Sequence, residues 1–379
     1  MNTSQSIPQP SLSVAMSLPP IPHYTPAPPT QEELEYADLA IIDLSKASTA
    51  EGRAELTIQA RDSVKEHGFL YVINHGWTQD QNNRIFDIAD FTFSQVSDEE
   101  KKKYESKILE TSTYRGYKPR QFWHIDAGVH DQIEHYNTNR DVNKQPHPEI
   151  IRPLLPEIDA FAKHNHFDIL FPILRLLAAG MELPEDTFIN KHRFDATGET
   201  SVRFMKYYPR SEEDEGKTNQ VWLKGHTDIG SITILWSQPV SALQILSKDG
   251  KWRHIRHMDN ALVINTGDAL EFLSGGYYKP TIHRVIQPPK DQRGYTRVGA
   301  FYFVMPDDEV KLAPLVKESP VLQNVGNLSR FSQDASDVPT MEQWRKGRTK
   351  AYGTSQLKKV DGSNIEEEYI NGVLVQHFN

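Results

Sequence analysis

Cysteine is absent from the whole chain. That absence removes disulfides, thiolate-bound zinc, iron–sulfur clusters and thiol nucleophiles together, so any metal must take nitrogen and oxygen ligands. Long apolar runs are missing too: hydrophobic residues make up 37% of the 379, and no run approaches the roughly 20 residues of a membrane span, so no membrane partner is expected. Positive charge is in deficit, with 42 Lys and Arg against 51 Asp and Glu for a net charge of −9 and no basic cluster, which argues against a nucleic-acid partner. No Lys or Arg precedes Lys46, so the N-terminal stretch has neither the basic segment of a secretory signal nor the arginines of a transit peptide. The expected compartment is cytoplasmic, and no protein partner is predicted.

Residues 1–29 hold eight of the 24 prolines and read as a disordered or weakly docked arm. Order is expected from Thr30-Gln31-Glu32-Glu33, which has the form of a helix-capping box. From there to 184 the pattern is mainly helical with a few strands. Leu56, Ala60 and Val64 mark one helix face that ends at Gly68, Phe69 to His75 reads as a buried strand, and Pro156 opens a long helix that Pro172 should kink near Asp168. Residues 111–149 show no clear period.

From 185 to 310 the texture changes to short β segments between turns: Ser201 to Tyr208, Val221 to Asp228, Ser231 to Trp236, Ala242 to Leu246, Ala261 to Asn265, Thr281 to Gln287 and Arg297 to Val304. Such spacing predicts a sandwich or barrel and marks this part as the core of the function. Residues 311–379 form an extension in which Thr340-Met341-Glu342-Gln343 caps a helix near Trp344, and the last residues form a short helix or a strand.

His226 and Asp228 are two apart in a strand-like run, so they fall on one side and can grip one ion. Spacing alone is weak, because His124 and Asp126, His166 and Asp168, and His257 and Asp259 repeat it. His166 and Asp168 fall on a predicted helix, where residues two apart diverge by about 200°. What favours His226 and Asp228 is the β context together with His283, 57 positions later on another predicted strand. Two His and one carboxylate leave open coordination positions suited to non-haem Fe(II) and oxygen. Arg297 opens the next apolar strand, where a buried guanidinium needs an anion and fits a carboxylate with both arms of its fork.

His226-Thr227-Asp228, Asn265-Thr266-Gly267-Asp268 and His283-Arg284-Val285, with His67-Gly68-Phe69 and Asn74-His75-Gly76 upstream, resemble the motifs of the Fe(II)/2-oxoglutarate-dependent dioxygenase superfamily, in its isopenicillin N synthase-like branch. The resemblance spans roughly residues 38–310. It implies an α+β fold with a double-stranded β-helix, or jelly roll, flanked by N-terminal helices and a C-terminal helical extension. It implies Fe(2+) on His226, Asp228 and His283, with 2-oxoglutarate as co-substrate held by Arg297 and by a tyrosine of the Tyr207-Tyr208-Pro209 segment, most simply Tyr208, and O2 as oxidant. Two positions depart from the family pattern: Gly299 stands where Ser is usual, removing a hydroxyl from the carboxylate site, and Lys206 stands where Asn is usual.

The implied reaction couples oxidative decarboxylation of 2-oxoglutarate to hydroxylation, desaturation or cyclisation of a small organic substrate, with specialised metabolism as the expected setting. Met205, Trp222, Phe301, Phe303 and Tyr136 are candidate pocket walls, although such strand aromatics are more often plain core. Two rivals stay open from sequence: an iron-dependent oxidase of the same branch that does not use 2-oxoglutarate, and a non-catalytic jelly-roll binding protein.

Overall fold

The computed structural model describes residues 19–326, 330, 338–351, 358–359 and 365–378. Residues 1–18 of the expected arm lie outside this range. Residues 19–29, in contrast, are docked: the Pro19 carbonyl accepts from Arg84, the Tyr24 N–H donates to Asp87, Ala27 is buried, and the Pro28 carbonyl accepts from Gln292. Thr30 starts no helix. Its hydroxyl donates to Asp291 at 2.7 Å, so the capping-box pattern is spent on a contact 261 residues away.

In chain order, β1 (Ile41–Asp43) leads to α1 (Ala50–His67), which Thr49 caps by accepting from the Gly52 N–H and which ends at Gly68 in the left-handed conformation, φ 64°. Leu56, Ala60 and Val64 form its buried stripe. Next come β2 (Phe69–Ile73), α2 (Gln79–Ser94), α3 (Asp98–Lys103) and α4 (Ile108–Thr111). The segment without a period folds as β3 (Gly116–Lys118), a β4–β5 hairpin (His124–Asp126 and Val129–His130) and β6 (Ile133–Asn139). Helices α5 (Leu155–Lys163) and α6 (Phe171–Ala179) are joined by a π-helical stretch, His164–Leu170, at the point where Pro172 withholds its N–H.

The strand-rich part contains β7 (Ser201–Tyr207), α7 (Glu212–Lys217), β8 (Val221–His226), β9 (Ile232–Trp236), β10 (Leu243–Leu246), β11 (Trp252–His254), β12 (Leu262–Thr266), α8 (Asp268–Leu273), β13 (His283–Ile286) and β14 (Arg297–Val304). The extension adds α9 (Pro320–Val325), α10 (Met341–Ala351), β15 (Lys358–Lys359), β16 (Ile365–Ile370) and β17 (Val373–Phe378). Thr340 and Gln343 exchange the two bonds of a capping box ahead of α10. The final segment is a hairpin turned at Asn371 and Gly372, both at positive φ as a tight two-residue turn requires.

Apart from the β4–β5 hairpin, these strands build two sheets, one ordered β1-β2-β12-β9-β14-β7-β6-β3 and the other β11-β10-β13-β8-β17-β16-β15, which makes the jelly roll. Strands from residues 30–184 and from 185–310 share the larger sheet. Alternation along its strands then sorts side chains between two cores. Val202, Phe204, Val298, Ala300 and Tyr302 pack outward with α2, α5 and α6, whereas Met205, Tyr207 and Phe301 point inward with Phe69, Leu223 and Val285. The inner space between the sheets holds the site. Among the described residues no helix is long and apolar enough to cross a membrane.

Candidate active site

His226 and His283 are register partners on the antiparallel pair β8–β13, with ring centroids 4.5 Å apart. One extra residue in β8 between Leu223 and His226 breaks the simple alternation, so both face the interior. Strand β8 stops at His226, and Asp228 lies just beyond it, in the turn that leads to β9. Its Oδ1 is nevertheless 3.7 Å from the Nε2 of both histidines. One ligand atom from each residue falls within 4.8 Å of the others, the one such cluster among the described residues.

Hydrogen bonds aim these groups. The Nδ1–H of His226 donates to the Lys224 carbonyl at 2.8 Å and that of His283 to the Thr281 carbonyl at 3.1 Å, leaving both Nε2 lone pairs facing inward. Asp228 Oδ2 accepts from Thr233 at 2.6 Å and Asn265 at 2.8 Å, which frees Oδ1. Burial, then the adjacent His283, pulls His226 down to about 4. Burial works to raise Asp228, but the two imidazoles and its two hydrogen bonds outweigh that and hold it below the usual carboxylate value. At neutral pH His226 is therefore a neutral imidazole and Asp228 a carboxylate, the protonation that a divalent first-row metal requires of such groups.

Thr227, between His226 and Asp228, is gripped from both ends. Its hydroxyl donates to Asp268 at 2.7 Å, and its carbonyl accepts from Arg348 of α10 at 3.0 Å. Asp268 is fully buried and also accepts from Arg330. Thus Asp268 reaches the ligand segment through Thr227.

Arg297 is 1% exposed, and its Nε and Nη1 are buried without a hydrogen-bond partner. It stands opposite Tyr207 in the β14–β7 register, with the guanidinium carbon 5.0 Å from the ring centroid. Burial lowers its pKa from the free value. A buried cation lacking an anion in the wall of a cavity beside a metal-type donor set fits the distal carboxylate of 2-oxoglutarate.

Tyr208 is a correction. It lies one residue past β7, and its hydroxyl donates to Glu134 at 2.9 Å, while Tyr207 lines the cavity with Arg297. One residue of strand phase separates the two tyrosines, and only the register with Arg297 reveals it. Lys206 also faces away, its ammonium 2.7 Å from Asp90 of α2. At Gly299 a Cβ would sit 2.5 Å from the Phe301 ring, so that ring occupies the space a serine would need.

The cavity, ≈ 130 Å³, runs between the sheets from Arg297 and Tyr207 past the His226, Asp228 and His283 cluster to Arg203, Phe303 and Arg348. Met205, Phe301 and Phe303 line it. Trp222 and Tyr136 do not. Trp222 stacks behind Tyr207 and donates to Glu215 at 2.7 Å, and Tyr136 is on the outward face of β6, bonded to His147 and packed on Tyr117. The rival His and Asp pairs are occupied elsewhere: His166 bonds Tyr302 and the His192 carbonyl, His257 bonds Ser237 and Asp259, and His124 lies on the exposed β4–β5 hairpin. Asn265, Thr233 and Arg348 had no signal that sets them apart from other polar residues until the fold brought them to the ligands.

Comparison with known proteins agrees with this geometry. Residues 199–306 match the 2OG-Fe(II) oxygenase superfamily, and residues 39–156 match the family described as non-haem dioxygenase in morphine synthesis N-terminal. The chain is 30% identical over 296 residues to UPF0676 protein C1494.01 of Schizosaccharomyces pombe, covering 74% of this chain and 86% of that protein. It is 28% identical to mugineic-acid 3-dioxygenase of Hordeum vulgare, covering 73% and 76%. In fold it is similar to a full-length Neurospora crassa protein solved in complex with alpha-KG, with a TM-score of 0.71 at 20% identity, covering 84% of this chain and 99% of that one.

Proposed function

Since the chain belongs to the 2OG-Fe(II) oxygenase superfamily and is a 2-oxoglutarate-dependent dioxygenase using Fe(2+) and O2, we propose that His226, Asp228 and His283 hold its iron and that Arg297, with Tyr207 beside it, holds the co-substrate. The observation that carries this reading is the buried Arg297 guanidinium, with no anion beside it and two of its nitrogens unbonded, in the cavity that His226, Asp228 and His283 line.

When bound, iron with O2 and 2-oxoglutarate supplies the oxidising power: the keto acid leaves as succinate and CO2, one oxygen atom entering succinate and the other being available to a C–H bond of the substrate. The chain's own groups do the rest. The Lys224 and Thr281 carbonyls keep both Nε2 atoms unprotonated, Thr233 and Asn265 fix the carboxylate, and Arg297 fixes one end of the co-substrate and hence its direction. Phe69, Leu223, Leu235 and Val285 exclude water around them.

The substrate is a small molecule. Hydroxylation is the outcome we propose, with desaturation or cyclisation as variants of the same oxidation, in specialised metabolism and in the cytosol. The mugineic-acid enzyme among the relatives supports a small organic substrate but does not name the compound. Anaerobic Fe(II) titration with and without 2-oxoglutarate, followed by oxygen and a succinate assay, tests the proposal. Iron bound without any succinate across a broad substrate panel overturns it.

A further inference from the structure

His135 lies on β6, is fully buried, and lines the cavity, yet neither ring nitrogen has a hydrogen-bond partner. Other buried histidines behave differently. His166, His192 and His147 each use both nitrogens. Among the described residues His135 is the one histidine with both nitrogens buried and bare. The Trp123 ring meets it edge-on at 5.0 Å, Met205 is its register partner on β7, and its partner on β3, Lys118, spends its ammonium on Asp131 and the Ile133 carbonyl. Leaving a donor and an acceptor unused in such surroundings is costly unless a ligand supplies the missing bonds.

The register says which part of the cavity His135 faces. Ile133, Tyr207 and Arg297 form one row across β6, β7 and β14; His135, Met205 and Gly299 form the next inward-facing row. Neighbouring strands are about 4.8 Å apart, so His135 is two strand spacings, roughly 10 Å, from the β14 backbone, besides being one row further along. His135 thus faces the part of the cavity on the Met205 side, away from the strand that carries Arg297.

The imidazole is neutral there, since burial, followed by the positive charges of Arg203 and Lys118, holds its pKa well below the usual value. A neutral imidazole offers one N–H donor and one nitrogen acceptor. We propose that His135 is a specificity-determining residue that hydrogen-bonds an uncharged group of the primary substrate able both to donate and to accept, such as an amide or a hydroxyl, carried on an apolar, ring-sized body. This rests on the reading above that Arg297 takes the co-substrate.

The test uses full-length protein loaded with Zn(II) and 2-oxoglutarate, in which no turnover occurs, with ¹⁵N-labelled imidazoles and three probes: benzamide, benzoate and toluene. Benzamide is expected to shift the His135 nitrogens, and toluene is not. His135→Phe should weaken benzamide by about tenfold, the equivalent of one lost hydrogen bond, and His135→Gln should restore most of it. Both variants should keep 2-oxoglutarate binding within about twofold, so failure at Arg297 and failure at His135 read out separately. The proposal is overturned if benzamide leaves the His135 signals unmoved, if it binds equally to wild type and His135→Phe, or if benzoate binds best and loses nothing in His135→Phe.

Discussion

Arg297 stands directly across from Tyr207 on paired strands, a cation over an aromatic face with two of its nitrogens buried and unbonded. An unpaired buried charge costs stability, and the same charge is what a dicarboxylate needs. Arg297→Met should therefore weaken 2-oxoglutarate by about 100-fold while leaving the ligand-free Tm unchanged or higher. Calorimetric titration alongside thermal melts checks both halves; a lower Tm would mean that the guanidinium has a structural partner.

Asp228→Ala removes the one anion of the ligand cluster and leaves Thr233 and Asn265 without their acceptor. Iron affinity should fall at least about 100-fold and succinate formation should cease. Anaerobic equilibrium dialysis measures the first directly. Wild-type affinity in this variant would move the metal to another cluster.

Thr227→Val keeps shape but deletes the hydroxyl that ties the ligand segment to Asp268. The ligands remain, so the expected effect is a loss of about tenfold in iron affinity, of the size that groups orienting metal ligands contribute. Arg348→Met, which frees the Thr227 carbonyl, should act in the same direction, and the pair together should be less than additive because both restrain one residue.

Gly299→Ser places a Cβ against the Phe301 ring. Alone it should destabilise by about 1–3 kcal/mol through overpacking, and Phe301→Ala should relieve it. In the double variant the new hydroxyl has room beside Arg297, and the KM for 2-oxoglutarate should fall relative to Phe301→Ala alone. No change in KM would show that position 299 is remote from the carboxylate.

Acid should unfold the metal-free protein early. His226, His192 and His254 are all held down to about 4, chiefly by burial, and His166 to about 3. An unfolded histidine titrates near 6.5, so between that pH and about 4 the unfolded chain binds more protons than the native one, and stability falls as pH falls. Above about 7 these groups are neutral in both states and contribute no slope. Melts from pH 8 to 4 should be flat at first and then drop steeply; a flat profile down to pH 5 would show that the histidines are open to water.

The metal-type cluster was legible because two of its members are a local pair and the third is a histidine on another β segment, even though Asp228 turned out to lie beyond the strand end rather than on it. Strand phase was harder. Choosing between Tyr207 and Tyr208 needs the exact residue at which β7 ends, and it is Tyr207 that lies in the cavity wall while Tyr208 bonds Glu134. Strand β6 was invisible for a different reason: Ile133-Glu134-His135-Tyr136-Asn137-Thr138-Asn139 is polar on both faces, yet every residue is buried. Its inward His135 and Asn137 line a cavity and its outward Glu134 and Tyr136 are bonded to neighbours, so it lacks the apolar alternation by which strands are recognised. The docking of residues 19–29 and the pairing of β17 with β8 are long-range contacts that leave no local trace.

The two-sided larger sheet has a bearing on how this protein can change. On β7 and β14 odd-numbered residues face the reaction space and even-numbered ones face the helices, so one strand carries two separable sets of instructions. Substitutions at 203, 205, 301 and 303 can redraw what the cavity accepts, while 202, 204, 298, 300 and 302 keep the helices attached. A lineage, or a laboratory library, can vary the first set while leaving untouched the packing that holds the helices to the sheet.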